Sequence, residues 1–284
     1  MIHRWITPVF LCLLIGCDAK PAIEKPVQLP AGVVFQDKIF HSGALQRDVT
    51  YRVIRPASIP AASQAHVLYL LHGNGSGFRE WSQYSAISQL ATQGYVLVMP
   101  EGHSTYFMNS ASKPQDQYED YLTRDLIRDA EKDLPAPPDR AHRAIAGVSM
   151  GGFAAVVIGL EHPDLYGFAG ALSPPIDAAG RRFTFRRLSQ SLGFRSIFGP
   201  SGSDERRAKD PFVLAHTVDP RQAPYIFLPV GEQESLAAPV RAYDAQLTRQ
   251  HLPHEFQTLP GGHDWAQWNR QLPAFESALA AHAP

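Results

Sequence analysis

The stretch His142-Arg143-Ala144-Ile145-Ala146-Gly147-Val148-Ser149-Met150-Gly151-Gly152 decides the fold. His142 to Val148 is a short apolar run of the kind that forms a strand covered on both faces. Met150 to His162 has the length and composition of a helix, and Pro163 closes it. Between them Gly147-Val148-Ser149-Met150-Gly151 has the form G-x-S-x-G, which raises a serine on a sharp strand-to-helix turn. A Cβ two residues before or after that serine would collide with neighbouring backbone, so the turn requires Gly147 and Gly151. The helix starting at Met150 aims its unpaired N–H groups at the oxyanion that forms when Ser149 attacks a carbonyl.

Outward from this turn, strands and helices alternate. Val33 to Phe40 and Val49 to Arg55 read as two antiparallel strands, and His66 to Leu71 and Tyr95 to Met99 as buried ones. Further strands fit Phe168 to Leu172, Tyr225 to Val230 and Phe256 to Leu259. Helices are predicted over Trp81 to Gln93, stopped by Gly94, and over Tyr118 to Leu134, ended by the Pro135 to Pro138 cluster. Two more fit Val240 to Gln250 and Trp265 to Ala281, the last kinked or split by Pro273. This alternation predicts an α/β fold, a mostly parallel central sheet with helices on both faces.

The remaining candidate site residues lie on loops after strands. Leu71-His72-Gly73-Asn74-Gly75-Ser76-Gly77 follows an early central strand, and the backbone N–H of Asn74 is the candidate to join that of Met150 around the oxyanion. His72 ends that strand and reads as a structural hydrogen bonder. Gly261-Gly262-His263-Asp264-Trp265 follows the last strand and offers His263 as general base; His251, His254 and His282 read as solvated. Gly231-Glu232-Gln233-Glu234-Ser235 supplies the acid in the chain order serine, acid, histidine. Glu232 and Glu234 are two apart, so strand alternation does not choose between them.

Gly147-Val148-Ser149-Met150-Gly151-Gly152 and Gly262-His263-Asp264-Trp265 resemble the esterase D family, serine esterases of the α/β-hydrolase fold that include S-formylglutathione hydrolases, feruloyl and acetyl-xylan esterases and mycolyltransferases. The resemblance spans about residues 45 to 280 and includes Tyr118 to Leu126, similar to the family's helix before the nucleophile strand. Pro100-Glu101-Gly102 resembles its Pro-Asp-Gly loop with Glu in place of Asp. The resemblance implies ester hydrolysis through Ser149, His263 and, three residues after the glycine, Glu234. It implies neither a metal nor a cofactor. The same triad serves an acyltransferase, and a binding protein on an inactive hydrolase scaffold is the reading from a different class.

The first residues are different in kind. His3 and Arg4 precede an apolar run, Val9 to Ile15, too short for a stable membrane span and fit for an export signal. Leu14-Ile15-Gly16-Cys17 closes it and resembles a bacterial lipobox, with cleavage before Cys17 and lipidation of its thiol. The expected organisation is a signal peptide over 1–16, a lipidated cysteine and Pro-rich tether over 17–32, and a catalytic domain over 33–284. That predicts a protein exported and held by lipid to the cell envelope, facing the periplasm, where a carbohydrate or phenolic ester suits better than a glutathione thioester. Cys12 and Cys17 are the only cysteines, so no disulfide remains after processing.

A net charge of -1 and a pI of about 6.9 exclude a sequence-independent grip on nucleic acid. Nothing in the sequence sets an oligomeric state. The loop from Asp177 to Asp219 is long enough to wall the site and is rich in arginine. It reads as solvated helices or as a site for an acidic acyl donor or anionic headgroups. Tyr106, Phe107, Asn109, Trp81 and Trp268 are candidates for pocket lining or for packing.

Overall fold

Strands β3 (His66–Leu71), β4 (Tyr95–Pro100), β5 (Arg143–Val148) and β6 (Phe168–Leu172) are the apolar runs of the sequence, and β4, β5 and β6 are buried along their whole length. In the computed structural model, which describes residues 27–60 and 64–283, these four pair in parallel at the centre of an eight-stranded sheet. β1 (Val33–Ser42) and β2 (Arg47–Pro56) form the antiparallel edge, and β7 (Tyr225–Gly231) and β8 (His254–Leu259) continue the parallel part. The order is β1-β2-β4-β3-β5-β6-β7-β8. Exposed apolar residues such as Ile39 mark β1 as the strand covered least.

The helices are α1 (Glu80–Tyr84), α2 (Tyr118–Asp120), α3 (Leu126–Glu131), α4 (Met150–Glu161), α5 (Leu188–Phe198), α6 (Asp204–Ala208), α7 (Pro211–Thr217), α8 (Ala237–Arg249) and α9 (Trp265–His282). Alternate side chains of each central strand divide between the two faces of the sheet. Tyr69, Leu71 and Ile145 join a core with Phe153 of α4 and Tyr243 of α8, while Leu68, Leu70 and Ala146 join one with Trp268 and Phe275 of α9. This is the α/β-hydrolase arrangement, with helices on both faces. None of the helices among the described residues is long and apolar enough to cross a membrane.

Three of the expected helices differ in course from the sequence expectations. The single helix expected from Trp81 to Gln93 breaks at Ser85, whose backbone is extended and whose hydroxyl takes over the broken end, donating to the Trp81 carbonyl at 2.6 Å and accepting from the Ile87 N–H at 3.3 Å. A 3₁₀ stretch, Ile87–Gln93, follows and ends at Gly94 with φ 98°. The helix expected from Tyr118 contains a π turn, Tyr121–Asp125, and stops at Glu131, short of Leu134. There Glu131 turns inward to accept from the Tyr69 hydroxyl and the Arg143 guanidinium, each at 2.8 Å. α9 runs through Pro273 unsplit, held to the sheet by buried Trp268 and Leu272 before the proline and Phe275 and Leu279 after it.

The expected signal segment 1–16, Cys17 and the expected tether as far as residue 26 lie outside the described residues. Residues 27–32, expected as tether, lie against the domain. Leu29 packs on its core, the Gln28 carbonyl accepts from Ser88 at 3.3 Å, and the Gly32 carbonyl accepts from the Ala57 N–H at 2.8 Å.

Candidate active site

Ser149 stands between β5 and α4 with φ 52° and ψ -117°, a conformation that non-glycine residues seldom adopt. The turn is closed because backbone lies where side chains would be. A Cβ on Gly147 would sit 2.3 Å from the Gly151 carbonyl carbon, and one on Gly151 would sit 2.4 Å from the Leu71 carbonyl oxygen. The Ser149 N–H is tied to the Leu172 carbonyl at 2.8 Å.

His263 arrives on the loop between β8 and α9. Its Nε2 lies 2.8 Å from Ser149 Oγ and its Nδ1 lies 2.7 Å from Glu234 Oε2. An ionised carboxylate only accepts, so Nδ1 carries the hydrogen and Nε2 is free to accept from the serine. The Glu234 side chain is 1% exposed, and its other oxygen accepts from the Ser173 hydroxyl at 2.6 Å and the Gly231 N–H at 2.7 Å. Glu232 is exposed on the same turn, so of the two acids left open by strand alternation it is Glu234 that faces the imidazole. His251 and His282 are exposed, and His254 pairs with Asp244 at 3.1 Å.

The loop after β3 comes against the serine, and a Cβ on Gly73 would be 3.8 Å from Ser149 Cβ. The next N–H, that of Asn74, and the first of α4, that of Met150, donate to no protein acceptor among the described residues. His72 is buried behind this loop. It faces the Gly73 carbonyl through Nδ1 at 2.8 Å, and its Nε2 lies 3.0 Å from the Gly102 N–H and 3.2 Å from Glu101. Burial pushes the Glu101 carboxyl up, but hydrogen bonds with His72 and with the N–H groups of His103 and Phe78 outweigh it and hold the group down at about 2. The Pro-Glu-Gly loop thus fastens the start of the Gly73–Gly77 loop to the end of β4.

Two supporting groups escaped the sequence reading. Glu80 accepts from the Gly73 N–H at 2.9 Å and from the Trp265 indole at 3.1 Å, linking the loop that carries Asn74 to the one that carries His263. Ser173, with φ 51°, is the other. No spacing marks them, because their partners are remote in the chain. Of the aromatic candidates, Tyr106 lines a cleft beside Asn74, whereas Trp81, Phe107 and Trp268 are core residues. Asn109 caps α2, accepting from the N–H groups of Glu119 and Asp120 at 3.1 Å.

Among the described residues one group, Glu119, Glu161 and His162, brings metal-ligand atoms within 4.8 Å of one another. Lys209 already occupies it, 2.6 Å from Glu119 and 2.7 Å from Glu161. Burial and the neighbouring Glu119 charge push the Glu161 carboxyl up, while burial of Glu119 is outweighed by His162 and Lys209, which hold that carboxyl down. The cluster is an ion-pair knot tying α2, the end of α4 and the residue after α6.

A serine on a strained strand-to-helix turn, an imidazole and a buried carboxylate, all at the carboxyl ends of a mostly parallel sheet, define the class as an α/β-hydrolase. Solved structures share this fold. The fluorophosphonate-binding serine hydrolase F of Staphylococcus aureus matches with a TM-score of 0.73 at 22% identity, over 89% of this chain and 99% of that one. An S-formylglutathione hydrolase from Agrobacterium tumefaciens matches with a TM-score of 0.76 at 15% identity, over 90% and 98%. In sequence, an acetyl esterase of Caldicellulosiruptor saccharolyticus is 25% identical over 253 residues, covering 84% of this chain and 95% of that protein. The model of the esterase family, described as "Putative esterase", matches residues 42–279. The chain belongs to this family and is a carboxylic ester hydrolase.

Proposed function

We propose that the enzyme cleaves esters through an acyl-enzyme on Ser149. Ser149 Oγ attacks the carbonyl carbon and its proton passes to His263 Nε2, while the N–H groups of Asn74 and Met150 receive the oxyanion. Collapse breaks the bond to the alcohol oxygen, which leaves with the proton from Nε2, and water repeats the sequence to release the acid. Glu234 fixes the imidazole tautomer and stabilises the imidazolium. The observation that carries this reading is the unbroken chain from Glu234 to His263 to Ser149, at 2.7 Å and 2.8 Å. The same chain speaks against an inactive scaffold that only binds.

The substrate is a small or carbohydrate- or phenol-borne ester, supported by the similarity to an acetyl esterase and by the open cleft beside Asn74. The protein works on the outer side of the inner membrane or beyond, anchored through Cys17, a reading supported by the lipobox-like Leu14 to Cys17. The test is turnover of p-nitrophenyl acetate with and without a competing alcohol. Ser149→Ala should lower kcat by about 10⁴ to 10⁶ with the circular dichroism unchanged. Retention of more than about a tenth of the rate contradicts the assignment. Acyl transfer to the alcohol in preference to water identifies a transferase with the same triad.

A further inference from the structure

We infer that the cleft beside Asn74 is an anion-selecting subsite, so that the preferred ester carries a carboxylate or similar negative group on the half that lies there. The inference rests on Ser149 being the nucleophile and names the substrate class of that site. The cleft has a volume of about 790 Å³ and is lined by Asn74, Ser104, Tyr106, Arg186, Arg187 and Phe194, among others, with no acidic residue in its wall. It therefore brings the residue of the candidate oxyanion donor and two consecutive arginines to one cleft.

Those two cations set the charge of the cleft. From Ala178 to Ser203 the chain carries Arg181, Arg182, Arg186, Arg187 and Arg195 and no Asp or Glu. Arg181 is neutralised by Asp177 at 2.7 Å. Arg206, further on, is consumed by the carbonyls of Ala179 and Arg181, each at 2.7 Å. Neither the Arg186 nor the Arg187 guanidinium has an ion-pair or hydrogen-bond partner among the described residues, so both are open to a ligand.

The backbone under them is fixed. The Thr184 hydroxyl accepts from the Arg186 N–H at 3.3 Å, and Ser191 Oγ both accepts from the Thr184 N–H and donates to its carbonyl at 3.1 Å. The floor is aromatic, with the Tyr106 ring edge-on to Phe194 at 5.6 Å and to Phe198 at 5.5 Å. An anion entering the cleft meets two arginines and no carboxylate above this aromatic floor. The planar guanidinium fork suits a carboxylate.

Matched ester pairs test this in the full-length enzyme. One pair differs on the acyl side, p-nitrophenyl hemiglutarate against p-nitrophenyl methyl glutarate, and the other on the alcohol side, the acetate of 4-hydroxybenzoate against that of its methyl ester. In one of the pairs the anionic member should have the larger kcat/KM, by roughly tenfold or more at low salt, and the ratio should shrink toward one as ionic strength shortens the screening length. Arg186→Ala with Arg187→Ala should reduce that ratio to near one, Arg186→Glu should reverse it, and Arg221→Ala, remote from the cleft, should leave it alone. Which pair responds tells whether the acyl or the alcohol half occupies the cleft. Ratios near one in both pairs, with Ser149-dependent turnover of the neutral esters, overturn the inference and leave the esterase reading standing. If no ester in either pair is turned over, both fall together.

Discussion

Ser149 holds a backbone conformation that costs on the order of 1–3 kcal/mol, and such a residue persists only where its surroundings over-determine it. Here the Leu172 carbonyl holds its N–H, and two glycines leave room for backbone that a side chain would displace. The motif made this much readable, because the collision that demands glycine at 147 and 151 is local. The acid was less readable. Glu232 and Glu234 share a side in an extended chain, and the turn, which only the structure describes, buries one and exposes the other. Glu234→Gln keeps the size and removes the charge, so kcat should fall by about 10² to 10⁴ with thermal stability little changed. Glu232→Gln, at an exposed position, should change kcat by less than about tenfold. Kinetics of the two variants on one ester check this, and reversed effects would place the acid at Glu232.

At the scale of elements, the site is three loops brought to one end of the sheet, and Glu80 at the start of α1 holds two of them together. Glu80→Ala should leave the Gly73 N–H and the Trp265 indole without their acceptor. It should lower kcat by roughly tenfold or more, with KM for a small ester and the melting temperature changing little. Glu80→Gln keeps one acceptor oxygen and should recover part of the loss. An equal fall in melting temperature and kcat for both variants would make Glu80 merely structural. The strands were legible because an apolar run of six residues between turn signals has few alternatives once its neighbours are also apolar. The break at Ser85 and the early end at Glu131 were not, because a hydroxyl and a carboxylate there serve partners found only by folding. Glu80 escaped for the same reason.

At the scale of the whole molecule, the chain is near neutral, yet arginines are dense between residues 181 and 207, in and around the segment that lines the cleft, and the apolar signal-like run lies near the first residue. Leu29 packs on the core of the domain twelve residues after Cys17, so a lipid on Cys17 would hold the domain close to a membrane. Cys17→Ser should abolish incorporation of labelled fatty acid and block the processing that precedes it, and undiminished labelling of that variant would contradict the anchor. The claim on which the rest depends is that Ser149 is the nucleophile drawn out by His263. The most direct measurement is peptide mapping by mass spectrometry after treating the full chain with a fluorophosphonate. The expected result is one stoichiometric adduct on the peptide containing Ser149, formed far more slowly in His263→Ala and absent in Ser149→Ala. An adduct on another residue, or an enzyme that turns over esters while Ser149 stays unmodified, would contradict the account.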